Sequence, residues 1–167
     1  EKNVPAVSIL EIALQQAGEN RVELEKVLSR YQIDPADSLK YRAACFLIEN
    51  MPYYTYYKGK QLDRYFTYYA LLQKTRGLGI SPQVVADSVR HMYGPLYLDS
   101  LQSYRDIETV DSAYLCNNIE WSFKVWQEQP WGKHVSFADF CEYLLPYRIG
   151  DETLASWRES IYQKYNL

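Results

Sequence analysis

Residues 111–129 read DSAYLCNNIEWSFKVWQEQ. Leu115, Ile119, Phe123 and Trp126 recur every three or four positions, which sets them along one stripe of an α-helix. Cys116 and Ser122 border that stripe. Glu120 and Lys124 stand one turn apart on another face, spaced for an ion pair. Pro130 stops the run, because proline lacks an N–H and its ring clashes with the preceding turn. A helix of this length with so broad an apolar stripe needs other helices to cover it.

The same period extends in both directions. Ser136 reads as the cap of a helix that ends at Pro146, with Asp139 at the capping-box position and Phe137, Phe140, Cys141 and Leu144 on its apolar side. Asp151 reads as the start of a last helix with Leu154, Trp157, Ile161 and Tyr165 as its stripe. Toward the N-terminus, Pro5–Ala17 carries Val7, Leu10, Ile12, Leu14 and Ala17 and stops at Gly18. Asn20 reads as the cap of a short helix through Leu28, built on Leu24, Val27 and Leu28. A third helix follows Asp37 or Ser38 and ends before Pro52, with Tyr41, Ala44, Cys45 and Ile48 as its face. A further helix spans about residues 61–75 and is closed by Gly77 and Gly79. Ser81 with Pro82 is a strong start for the next, which ends near Tyr93. Residues 53–59 are open between strand and helix, since aromatic runs favour strands but no alternating segment lies nearby to pair with them. Residues 96–109 read as loop or short helical turns. The expectation is a single all-α domain over residues 1–167, an irregular multi-helix bundle of about six to eight helices, forming the N-terminal part of a larger protein.

Composition narrows the function classes. The chain has 167 residues, 47% of them hydrophobic and 23% charged, with a formal net charge of -3. That suits a domain with a real core and excludes a disordered tail. No apolar run approaches the roughly 18 residues of a membrane span, so no transmembrane segment is expected. A net negative chain offers nothing overall to a phosphate backbone, and neither nucleic acid nor an anionic membrane is an expected partner. The odd cysteine count (Cys45, Cys116, Cys141) argues against a complete disulfide framework; one pair stays open in an oxidising compartment, and three free thiols on apolar helix faces are the expected state. None of the three sits at a glycine-flanked helix start that would acidify it, so no catalytic cysteine is expected. His91 and His134 cannot complete a zinc site without a Cys-x-x-Cys pair, and no glycine-rich phosphate loop exists; no metal or cofactor is expected.

Aromatic side chains are the main candidates for function: 17 tyrosines, four tryptophans and five phenylalanines. Each buries a large apolar area while its polar tip needs a partner. Tyr54, Tyr57, Trp121, Trp126, Trp131 and Trp157 are candidates for a groove taking glycan or peptide, or for a face packed against another domain; most aromatics at helical spacing belong to a core. Glu142 and Glu152 flank the Leu144–Arg148 segment. They either form an acid–base pair or hold Arg148 and Arg158 in charge-assisted hydrogen bonds, and the second use is the commoner one. Pro146, Tyr147 and Arg148 read as a rigid corner that serves the fold or receives a neighbouring domain.

Three stretches carry a family resemblance: AACFLIENMP at 43–52, NIEWSF at 118–123 running on to Trp126, Pro130 and Trp131, and FADFCEYLLPYRIGDE at 137–152 followed by Trp157 and Arg158. Together they resemble the N-terminal helical region of transglutaminase-like proteins of gut and environmental Bacteroidetes, over roughly residues 37–160. The resemblance implies that a papain-like domain with a Cys-His-Asp arrangement follows in the same polypeptide. It also implies that the helical region is a non-catalytic platform for that domain, and that the whole is an exported, periplasmic or surface-anchored lipoprotein of the cell envelope. No stretch here matches the family's catalytic cysteine motif, so none of the three cysteines takes that role. Tyr147, Arg148, Trp157 and Arg158 are then the candidates for the face between domains. A glycan- or peptide-binding module is the alternative, and a small hydrolase using Glu142 and Glu152 a third.

Overall fold

Local capping chemistry sets half of the described α-helix starts. The computed structural model describes residues 7–95, 101–150 and 152–165, and shows a mostly helical, multi-helix fold. Helix α1 (Ile9–Gln16) begins where the Ser8 hydroxyl accepts from the Glu11 N–H at 3.1 Å. Asp34 caps a short 3-10 turn ahead of α3 (Ser38–Asn50) by accepting from the Ala36 N–H. Ser81 accepts from the Val84 N–H at the start of α5 (Pro82–Tyr93), and Asp111 from the Tyr114 N–H at the start of α6 (Ser112–Glu128). The starts at Ser81 and Asp111 are those the sequence predicts, whereas Ser8 is not singled out in it. Ser136 closes both halves of its cap, accepting from the Asp139 N–H and donating to the Asp139 carboxylate at 2.6 Å. The helix it opens, α7 (Phe137–Asp139), widens at once into a π-helical turn over Phe140–Leu144, with the Leu145 N–H donating to the Phe140 carbonyl.

Several expectations are corrected. Helix α2 (Arg21–Gln32) outruns Leu28 and buries Tyr31 as well as Leu24, Val27 and Leu28. Asn20 stands at its start but caps nothing; its amide donates to the carbonyls of Ile107 and Val110 at 3.0 and 2.9 Å. On α1 the core takes Ala13, Leu14 and Ala17 while Ile12 is exposed, and on α3 it takes Ala43 and Leu47 beside Ala44 and Ile48, with Tyr41 and Cys45 only half-buried. In each case the face is rotated by one position, because alanine's small side chain lets a neighbouring helix approach. Residues 152–157 are irregular, and α8 spans Arg158–Tyr165. Pro5 and Asp151, the expected ends of two helices, and residues 96–100 lie outside the described residues.

Residues 53–59 resolve into a 3-10 turn ending at Tyr53 and a strand, β1 (Thr55–Lys58), paired with β2 (Gln102–Arg105). Its partner lies beyond two intervening helices, so no alternating segment is visible nearby in the sequence. Immediately after β2, Asp106–Glu108 forms a 3-10 turn.

The chain divides into two compact units: one made of the residues up to Tyr56 and from Tyr104 onward, the other of Tyr57–Ser103. In the first, α3 packs on α1, α2 and α6, and α6 also carries α8. Leu24, Val27, Ile48, Met51, Ile107, Leu115, Ile119, Phe140 and Leu145 are its fully buried centre. Phe140 stacks on Trp126 at 4.4 Å and meets Phe123 edge-on at 4.9 Å. Such ring pairs add about 0.5–1.5 kcal/mol each beyond the area they bury. Glu120 does not pair with Lys124. Its carboxylate accepts from Lys40 on α3 at 2.8 Å and from the Tyr31 hydroxyl on α2 at 3.0 Å, pinning three helices together. The second unit is a hairpin of α4 (Lys60–Thr75) and α5, with Val85 and Val89 its buried residues.

Candidate functional site

Two features of the first unit meet around residues 146–158: a corner of buried charge and a groove lined by rings. The corner centres on Asp106, which is fully buried. Its carboxylate accepts from the Tyr147 hydroxyl at 2.8 Å and from Arg148 Nη2 at 3.0 Å. Arg148 Nε lies 2.8 Å from Oδ2, off the hydrogen-bond line, so that contact is an ion pair rather than a directed bond. The rest of the fork goes to backbone: Nη1 to the carbonyls of Thr55 and Gly150, Nη2 also to that of Glu152. Burial pushes the Asp106 carboxyl above its ordinary value, against the Tyr147 hydrogen bond and the Arg148 charge. Burial likewise raises the Tyr147 hydroxyl, with the Asp106 carboxylate beside it acting in the same direction.

Arg158 ties the next stretch down. Its Nε donates to the Asn118 side-chain oxygen at 2.6 Å, and Nη2 donates to the carbonyls of Leu144 and Pro146. Asn118 returns its amide to the Leu145 carbonyl. Burial pulls the Arg158 guanidinium down to about 10, which leaves it charged at neutral pH. The Tyr147 carbonyl accepts from both the Tyr114 hydroxyl and the Trp157 indole. Thus the turn after Pro146 is held at almost every polar atom.

The expected clamp was right in kind and wrong in partners. Neither Glu142 nor Glu152 pairs its carboxylate with Arg148 or Arg158. Glu152 accepts from the N–H groups of Ile149 and Gly150, which lowers its carboxyl although burial works the other way. Exposed Glu142 lines a different groove of about 600 Å³ with Arg42, Cys45, Phe46, Phe137 and Cys141. The two carboxylates do not line a described groove together. Asp106, the real counter-ion, carries no spacing signature in the sequence.

The aromatic groove, about 290 Å³, lies along α8 and is lined by Trp131, Trp157, Arg158, Ile161, Tyr162 and Tyr165, with Val125 and Gln129 of α6. Trp131, Ile161 and Tyr165 are exposed. Trp121 stands behind it, tilted on Tyr162 at 5.1 Å, with the Lys124 ammonium over both rings. Of the predicted ring residues, the structure brings Trp131, Trp157 and Trp121 together here. Trp126 belongs to the core, its indole donating to the carbonyls of Gly132 and Val135. Tyr54 meets Tyr147 edge-on at 6.2 Å and is half-exposed; Tyr57 belongs to the other unit. Tyr162 and Tyr165, on the same helix as Ile161, are lining residues that the sequence reading missed, although Tyr165 was on the predicted stripe.

The thiols are free. Burial raises all three, Cys141 to about 11, so none is an activated nucleophile. Among the described residues no cluster of three or more His, Cys, Asp or Glu is arranged to hold a metal, and no helix is long and apolar enough to cross a membrane. Comparison with known proteins found no match to a protein family, to a curated protein or to a solved structure.

Proposed function

We propose that this chain is a non-catalytic helical platform that docks an adjoining domain through the aromatic groove along α8. The observation that carries the reading is how the groove's polar atoms are used. Arg158 donates inward, the Trp157 indole donates to the Tyr147 carbonyl, and the Tyr162 hydroxyl donates to Glu128 at 2.5 Å. Most of what faces outward is ring and aliphatic surface, edged by Gln129 and the polar tips of Trp131 and Tyr165, which suits a protein contact. The corner beneath it is braced by a buried ion pair and by carbonyl contacts, so the docking surface sits on a rigid support. By the resemblance, the adjoining domain is a transglutaminase-like, papain-like domain of the same polypeptide, in a protein of the cell envelope.

The test links the chain to that domain and follows amide exchange of α8. Docking predicts slower exchange in the linked protein than in the isolated chain, and Ile161→Glu restores the fast rate. Equal exchange in both sinks the reading. The second reading, a glycan or peptide site, draws on the exposed Trp131 and Tyr165 rings. It predicts that oligosaccharide or peptide quenches the fluorescence of the isolated chain and that Trp131→Ala removes the quenching.

A further inference from the structure

The net charge of the chain conceals a partition. Within Tyr57–Ser103 there are six Lys and Arg against three Asp, whereas the other unit holds twelve basic side chains against eighteen acidic ones. The hairpin is therefore a basic body carried by an acidic one. It also keeps much apolar surface outside. Among the described side chains of α4 none is fully buried, and Phe66 and Tyr69 are exposed on it. Both properties meet at the turn between α4 and α5. There Gly77 and Gly79 adopt left-handed φ values of 82° and 73°, which shape the turn and leave Leu78 between them. Leu78 is 67% exposed, with Ile80 and Val84 exposed beside it. A Cβ built on either glycine would meet nothing within 4 Å, so the turn stands in open space. Lys74 and Arg76, at the end of α4, are exposed and form no ion pair among the described residues.

Leu78 and Ile80 keep much of their surface outside the hairpin, although a turn can be made from polar residues. Cations flanking a protruding aliphatic tip match one kind of surface: an apolar layer roofed by negative charge. We propose that the α4–α5 turn is a peripheral membrane-contact element for an anionic phospholipid surface. Leu78 and Ile80 enter the acyl boundary, and Lys74 and Arg76 pair with headgroup phosphates. One signal alone gives weak, reversible binding; the turn combines two. A second copy of the hairpin is a poorer occupant, because pairing the same face would bring like charges together. A nucleic acid strand is poorer too, since the tip offers aliphatic side chains and no ring for a base to stack on.

The experiment is co-sedimentation of the whole chain with phosphatidylcholine vesicles, with and without phosphatidylglycerol at about one-third of the lipid. Binding is expected only to the anionic vesicles and falls with added salt. Lys74→Glu with Arg76→Glu weakens it at least roughly thirtyfold. Leu78→Ser with Ile80→Ser also weakens it, although the charge is unchanged. Both pairs are exposed, and unchanged circular dichroism checks that the variants fold. Failure to bind anionic vesicles at low salt overturns the proposal, as does binding that survives either double variant. A dimer that Leu78→Ser with Ile80→Ser dissolves, without vesicle binding, assigns the tip to self-association instead and equally overturns it.

Discussion

Removing either partner of the buried Asp106–Arg148 pair should be among the most costly single changes in the chain. In Asp106→Ala, Arg148 keeps its carbonyl contacts to Thr55, Gly150 and Glu152 but loses its counter-ion, and the Tyr147 hydroxyl loses its acceptor. Arg148 is 7% exposed and Tyr147 3%, so water cannot substitute without opening the corner. Leaving one charge of a buried pair unpartnered costs about 3–5 kcal/mol. Against a total stability of about 5–15 kcal/mol, that is enough to unfold a large share of the molecules. Asp106→Asn should be only somewhat milder, about 3 kcal/mol, because its amide oxygen still accepts from Tyr147 or Arg148 but the arginine loses its counter-ion all the same. Arg148→Met strands the carboxylate and should match or exceed Asp106→Ala. The double variant Asp106→Ala with Arg148→Met leaves no isolated charge, and should be less destabilised than the two single changes sum to by about 2 kcal/mol or more. Urea unfolding followed by far-ultraviolet circular dichroism reads all four. A loss below about 1 kcal/mol for Asp106→Ala, or strict additivity in the double variant, would refute the account of the corner.

Two further outcomes follow from the packing and charge. Gly132→Ala should lower thermal stability by about 2 kcal/mol or more, because a Cβ there would lie 1.8 Å from the Trp126 carbonyl oxygen, a backbone atom with nowhere to go; melting within a degree of wild type would contradict it. Glu23 is held down to about 2, first by the Lys26 ammonium and then by the hydroxyl and N–H of Ser112, whereas its ordinary value is 4.5. A lowered carboxyl stabilises the fold fully above its ordinary value and loses that contribution as the pH falls toward 2. Glu23→Gln should therefore be less stable than wild type near neutrality, with the gap closing between about pH 4.5 and 2; urea midpoints across that range check it, and a constant gap rejects it.

What could be read in the sequence was what depends on near neighbours. Ser81 before Pro82, Asp111 and Ser136 sit within three residues of the N–H groups they cap, so composition at fixed offsets reveals them. Trp126 was legible as core from its place on the Leu115–Phe123 stripe, even though its size also recommended it for a groove. Long-range partners left no such trace. Asn20 looks like a cap, yet its amide serves carbonyls 87 and 90 residues away. Glu152 reads in the sequence as a partner of the arginines, but the N–H groups of Ile149 and Gly150 take its carboxylate. Asp106 stands in no motif at all. The only clue to it was the unmet need of Arg148 for an anion. Strand β1 was undecided for the same reason: its ladder partner is supplied from the far side of the inserted hairpin.

The pairing of Asp106 with Arg148 also fixes an order of events as the chain is made. The carboxylate emerges from synthesis 42 residues before its guanidinium, and Arg148 in turn closes onto the Thr55 carbonyl 93 residues behind it. Until residue 148 is available, sealing Asp106 among Ile107, Val110 and Leu115 would strand a charge in the core. The three N-terminal helices can associate early, but the last layer must wait for the arginine. On this reasoning ion pairing should delay final closure until both halves of the discontinuous unit are present, which hydrogen-exchange labelling during refolding would check.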